Sequence, residues 1–363
     1  MARKLSLDKL LFATTLALVL SGVVMVFSAS AVLAEEKFGS PYYFLIRQGV
    51  WTLLGLIGMW WAMHVDYRTY RHPLCVYGGL CVCILLLVGV FLLDPNHNTH
   101  RWIRLGSLSF QPSELSKPAL VIFMAALLEK EASRVNDWRH TLLPCLAVLG
   151  VVLGLIVAEP DLGTSVTIAA VAFVLLFCAG LRLTYVLGAC LLAIPPLFCL
   201  VYFYEYRMQR VFAFLDPWDD PLGAGFQPVQ SMIAVGSGGL TGLGLMAGKQ
   251  KLFYVPEPHT DFIYAVIGEE WGLVGALAVL GLFGVFLWRG VRLSLRAQDG
   301  FGRFLGIGLT AMVVCQAFVN ISVVLSLLPT KGIPLPFVSS GGSSLLVSLV
   351  SVGVLLNISQ HSD

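Results

Sequence analysis

The stretch YVPEPHTDFIYAVIGEEWGLVGALAVLGLFGVFLW, Tyr254 to Trp288, decides how this chain is read. Its opening is polar and stiffened by Pro256 and Pro258, and from residue 262 onward it runs almost wholly apolar. A helix over 262 to 288 is long enough to cross a hydrocarbon core of about 30 Å. The stretch is therefore the mouth of a membrane span, with His259, Thr260 and Asp261 on its lip.

The rest of the chain agrees. Of 363 residues, 57% are hydrophobic and 12% charged, where a soluble domain carries roughly 25% charged residues. Spanning-length apolar runs are expected at 10 to 33, 42 to 63, 73 to 93, 112 to 129, 142 to 158, 163 to 180, 185 to 203, 262 to 288, 304 to 327 and 341 to 358. The first is longer than the apolar core of a signal peptide, about 7 to 15 residues, and reads as an ordinary span. The expectation is an all-α polytopic membrane protein of about ten transmembrane helices. Residues 1–363 form one integral membrane domain, and 204–261 is a large connection between helices 7 and 8. The eight cysteines lie in or beside spans and read as packing residues. The net charge of +2 points to no nucleic acid.

With both termini cytoplasmic, 13 Lys and Arg face inward and 10 outward. Most outward charges fall in long connections, which weigh little in the orientation rule. Arg101, Arg104, Lys117, Arg207, Arg210, Lys249, Lys251 and Lys331 cluster on the outer side. Either they snorkel to lipid phosphates, or they hold something anionic at the outer face.

Three outer segments carry candidate chemistry. In RWIRLGSLSFQPSELSKPAL, Ser113 is expected to cap a helix after Pro112. Glu114 suits the helix N-terminus, and Lys117, one turn on, can pair with it or reach a phosphate. In YFYEYRMQRVFAFLDPWDDPLGAGFQ, Arg207 and Arg210 share a helical face and suit a pyrophosphate, although an interfacial amphipathic helix also explains the pattern. The glycine-rich 235 to 251 lacks the Walker spacing and reads as close packing or a re-entrant turn. Asp261 stands where helix resumes, so it is either a cap with Thr260 or a low-pKa carboxylate that stays ionised and takes a proton from an alcohol. Glu269 and Glu270 lie about 12 Å deeper, roughly 80° and 180° around the helix from Asp261. An ion-paired or hydrogen-bonded structural role suits them better than catalysis.

FQPSELSK, AEPDLGTS, FLDPWDDPLGAGFQ, KQKLFYVPEPHTDFIYAVIGEEWGLVG and LLPTKGIPLPFVSSGGSSLL together resemble the SEDS family of membrane peptidoglycan glycosyltransferases. The segment Lys251 to Glu270 sides with its division branch, with the elongation and sporulation members as close relatives. The resemblance implies ten helices with a large extracytoplasmic loop between the seventh and eighth, and polymerisation of lipid II at the outer face of the inner membrane. It implies a class B penicillin-binding protein as partner, among other division proteins, at the septum. The essential acid corresponds to Asp261, Glu114 and Lys117 to polar positions of the fourth span, and Arg207 and Arg210 to the arginines before DPW. His100 and Gln209 depart from the family's basic residues. Lys331 stands where the elongation branch has threonine.

The reading that follows makes Asp261 the general base of an inverting transfer. Arg101, Glu114, Lys117, Arg207, Arg210, Lys251, His259 and Thr260 contact substrate, with Lys331 as a further cation. The sequence holds no dedicated metal cage and no certain cofactor, though a divalent cation, Mg²⁺ or Mn²⁺, would assist a pyrophosphate. A lipid II transporter and a non-catalytic division scaffold are the rival readings.

Overall fold

The computed structural model describes residues 7–93, 101–105, 108–251 and 257–361. His100 and Pro256, and the side chain of Arg104, lie outside the described residues. Among those described, twelve α-helices follow in order: α1 (Lys9–Phe38), α2 (Tyr43–His64), α3 (Pro73–Leu93), α4 (Pro112–Lys130), α5 (Leu143–Ala158), α6 (Leu162–Cys178), α7 (Leu183–Tyr202), α8 (Glu205–Leu215), α9 (Phe226–Ser237), α10 (Ile263–Leu295), α11 (Gly300–Val324) and α12 (Gly342–Gln360). Each expected span falls on one of these helices. By length and composition alone, α1, α3, α5 with the turn before it, α10, α11 and α12 can cross a membrane, and α6 is a shorter apolar helix. Two elements are not helical. Strands β1 (Ile103–Leu105) and β2 (Leu108–Phe110) pair antiparallel, and Arg47 of α2 donates to the Ser109 hydroxyl at 2.6 Å.

Helix ends follow capping chemistry. Asp8 accepts from the Leu11 N–H at 3.0 Å, and α1 stops at Gly39, which takes φ 69° and returns its N–H to Glu35 O. α4 begins two residues earlier than a Ser113 cap would place it. Gln111, not Ser113, is its cap residue, and Pro112 occupies the first helical position, where its missing N–H costs nothing. Asp161 caps α6 through the Thr164 N–H.

Helices α11 and α12 are the most enclosed of the spanning candidates. α11 packs against α4, α6 and α10, while α12 lies along α2. Small residues permit that last approach. Gly55 meets Leu349, and Gly353 lies over the backbone of Met59, the short-residue packing typical of helices in lipid.

α10 is broken at Gly272, which sits at φ 68°, ψ −164°. A break inside apolar surroundings leaves carbonyls and N–H groups that water cannot satisfy. The glycine-rich segment after α9 supplies the partners. Leu243 and Gly244 donate to the carbonyls of Glu269 and Glu270, both at 3.0 Å, and the N–H groups of Leu273 and Val274 donate to Gly239 and Leu240. The close-packing reading of these glycines thus holds. Gly242 has φ 81°, and a Cβ there would collide with the Glu270 backbone.

Gly242→Ala combines a left-handed residue, costing roughly 1–2 kcal/mol, with that collision. It is expected to lower the thermal unfolding midpoint in detergent by about 5 °C or more. Gly236→Ala, in α9 with open space at its Cβ, leaves the midpoint unchanged or raises it.

Candidate functional site

The lip of α10 is built by backbone pinning. Thr260 closes a turn on Glu257 O through both its N–H and its hydroxyl, at 3.1 and 3.0 Å. The connection between α11 and α12 clamps this turn. Ser339 Oγ donates to Thr260 O at 2.5 Å, and the Ser340 N–H donates to His259 O at 2.9 Å. Asn320 Nδ2 bridges Asp261 O at 2.8 Å and Ile333 O at 2.7 Å. α10 is capped at Phe262 with no side-chain bond, so Asp261 is not its cap. The Asp261 carboxylate is left unbonded among the described residues, against Gly332: a Cβ there would lie 2.9 Å from Asp261 Oδ2.

Gly332 also borders a cavity of about 710 Å³ whose wall includes Arg101, Asp161, Arg207, Arg210 and Lys331, with Val166, Val201 and Val211 on the apolar side. Four connections converge there. Arg101, before β1, donates to Glu159 O at 2.9 Å and to Pro160 O. Asp161 starts α6 and also accepts from Gln111 Nε2 at 2.9 Å. From α8, Arg207 lies over the Tyr204 ring at 4.3 Å and Arg210 over Tyr206 at 4.5 Å. Arg210 further donates to Thr330 O at 2.8 Å, tying α8 to the segment that carries Lys331 and Gly332. Arg207 and Arg210 of α8 thus line the same cavity.

The electrostatics correct one expectation. Asp261 was expected below the usual carboxylate range under the helix dipole. Instead burial, reinforced by Glu257, pushes it up to about 7 against the pull of Arg210. Loss of solvation for a buried anion outweighs the partial charge of a helix end. Lys331 is drawn down to about 8, by burial first and then by Arg210 and Arg207. Glu159, whose two carboxylate oxygens are buried without a partner, is raised to about 8 by burial and Asp161.

The structure thus gathers Arg101, Arg207 and Arg210 round one cavity and sets Asp261 at its edge. Other candidates lie elsewhere. Lys117 Nζ bonds Glu114 Oε1 at 2.8 Å and Gln316 Oε1 at 2.6 Å, all within the bundle. Lys251 Nζ pairs with Glu270 at 2.6 Å and donates to Ser28. Neither lysine is among the residues that line the cavity at Gly332. His259 is buried against Phe44, ring centroids 4.3 Å apart, and burial lowers its pKa although Glu257 opposes this. It and Thr260 serve through their carbonyls. Sequence reasoning passed over Asp161, Glu159, Gly332 and Asn320. The signal for Asp161 was the cap pattern Asp161-x-x-Thr164, while Gly332 follows directly on the flagged Lys331.

Comparisons with known proteins place the chain. A family model described as cell cycle protein, covering FtsW, RodA and SpoVE, matches residues 8–363. The chain is 48% identical over 339 residues to the probable peptidoglycan glycosyltransferase FtsW of Geobacter sp. (strain M18), covering 93% of this chain and 92% of the relative. It is 42% identical over 361 residues to stage V sporulation protein E of Bacillus subtilis (strain 168), covering 99% of each. A chain from a peptidoglycan synthase complex that coordinates polymerization and crosslinking superposes with TM-score 0.81 at 32% identity, over 99% of this chain and 100% of that one.

Titration of Asp261, followed by its carboxyl infrared band against Asp261→Asn, is expected to centre near pH 7. Arg210 favours the ionised form, so Arg210→Gln moves the midpoint upward. A wild-type midpoint near 4 would show the carboxylate to be solvated.

Proposed function

The chain belongs to the FtsW, RodA and SpoVE family of cell cycle proteins, and on that premise we propose that it polymerises lipid II into glycan strands for septal wall synthesis. It is a multi-pass protein of the inner membrane. In this reading residues 1–363 act as one membrane unit, the termini are cytoplasmic and the 204–261 connection faces outward. The observation that carries the chemistry is the meeting, at Gly332, of a pinned but unbonded carboxylate with a cavity walled by cations.

The donor sugar is carried on a diphosphate, and Arg101, Arg207, Arg210 and Lys331 hold those phosphates. Their apolar neighbours Val166, Val201 and Val211 suit the isoprenoid. Asp261, ionised, accepts the proton of the acceptor sugar's 4-hydroxyl as that oxygen attacks the anomeric carbon from the face opposite the diphosphate. One glycosidic bond forms, the carbon–oxygen bond to diphosphate breaks, and the anomeric centre inverts. Negative charge develops on the leaving group inside a preformed cationic wall, where such stabilisation is strongest. Gly332 matters because no side chain stands between the base and the cavity.

A proton-coupled transporter would need free carboxylates near the midplane. Glu114, Glu269 and Glu270 are instead bound, to Lys117, to the backbone of Lys249 and Gln250, and to Lys251. This favours the enzyme. The similarity to a chain of a polymerising and crosslinking complex supports a class B penicillin-binding protein as the transpeptidase partner.

Purified chain with that partner and labelled lipid II is the test. Asp261→Asn is expected to lower strand synthesis by about 10²–10⁴-fold, the range of general-base catalysis, with lipid II retention and partner binding intact. Equal synthesis by both proteins would remove Asp261 from the mechanism.

A further inference from the structure

α4 joins two different sites. Its first residues touch the cavity wall through Gln111 and Asp161. Its last turns border a second cavity, about 250 Å³, between α4 and the start of α3. Nineteen helical residues separate the two ends, about 28 Å at 1.5 Å per residue, so the second cavity opens at the opposite membrane face.

Its lining is divided. Val76, Phe123 and Leu127 make an apolar wall, while Arg71, Glu129 and Lys130 make a charged rim. Tyr77, also on the wall, is exposed, as suits an aromatic residue at a membrane boundary. Arg71 Nε lies 3.0 Å from Glu129 Oε2. The Lys130 side chain is exposed, and no ion pair satisfies it among the described residues. Two cations and one carboxylate leave the rim with a single net positive charge. A phosphodiester carries one negative charge, and an acyl chain below it would cover the apolar wall. Inorganic phosphate would leave that wall bare, and the cation of a zwitterionic headgroup would face Arg71 and Lys130. Basic pockets between helices at a cytoplasmic face are suited to anionic headgroups in this way.

We propose that the α3–α4 cleft is a specific site for one anionic phospholipid, its phosphate between Arg71 and Lys130 and one acyl chain along Val76, Phe123 and Leu127. The site is separate from the lipid II cavity and does not depend on that assignment.

The full chain is purified in mild detergent and offered phosphatidylglycerol or phosphatidylcholine with the same acyl chains, and retained lipid is counted by native mass spectrometry. Wild type is expected to keep one phosphatidylglycerol, at roughly tenfold or more over phosphatidylcholine, and millimolar inorganic phosphate does not displace it. Lys130→Gln, which breaks no ion pair, lowers retention several-fold. Ala126→Trp, directed into the apolar half of the cleft, does the same without changing charge, and thermal unfolding verifies that both variants are folded. Equal retention of the two lipids, retention indifferent to both folded variants, or displacement by inorganic phosphate overturns the site.

Discussion

In a bilayer, an interrupted helix must find protein partners for every backbone group it frees, and much of the half of this molecule that carries Asp261 answers that demand. The break in α10 at Gly272 is filled by the glycine-rich segment, whose N–H and carbonyl groups take the place of the missing helical bonds. Glu269 and Glu270 complete the joint by accepting backbone N–H groups and Lys251 from the same segment. Removing either partner of the Glu270–Lys251 pair would strand a buried charge, an outcome far costlier than the pair's own net contribution. The N-terminal turns of α10 are thereby held rigid next to the point where Asp261 stands.

Rigidity there has a use because the fold treats backbone and carboxylate of Asp261 in opposite ways. Its carbonyl, and those of His259 and Thr260, are fixed by Asn320, Ser340 and Ser339. Its carboxylate receives no hydrogen bond among the described residues, and the pull of Arg210 offsets only part of its desolvation cost. The membrane-embedded carboxylates show the contrary arrangement, each neutralised by a lysine or by backbone donors. Glu114, Glu269 and Glu270 are paired, whereas the carboxylates of Asp261 and of Glu159 stand unbonded at the end of the molecule that holds the cationic cavity.

How much of this could be read from residues alone depended on range. Arg207 and Arg210 were legible because three residues along one helix fixes a shared face. Glu114 and Lys117 were legible as a pair for the same reason, but not the burial that closes them off, since Gln316 reaches them from α11. Lys251 looked like a cavity cation because nothing near it in sequence reveals Ser28 of α1 as its neighbour. Asp161 was passed over because it caps α6 in an ordinary pattern, and only the convergence of α6 with α8 and the α11–α12 connection makes it a wall of the cavity. The β1–β2 hairpin lay hidden within a polar connection too short to show alternation. The raised Asp261 pKa was missed because the dipole is a local property and desolvation a global one.

The shifted groups also explain one another. Lys331 is depressed by burial and by neighbouring guanidinium groups, and Asp261 is raised by burial while Arg210 restrains it. Entry of a diphosphate would add negative charge beside both. Lys331 would regain its proton affinity as the arginines' repulsion was offset, and Asp261 would lose part of the cationic support that keeps it ionised. In the proposed mechanism the event that charges the leaving-group cradle would therefore act on the base in two opposed ways, raising its affinity for the alcohol proton while lowering the fraction that is ionised. In that mechanism, departure of the diphosphate would reverse both shifts, so that Asp261 releases its proton to solvent before the next sugar enters.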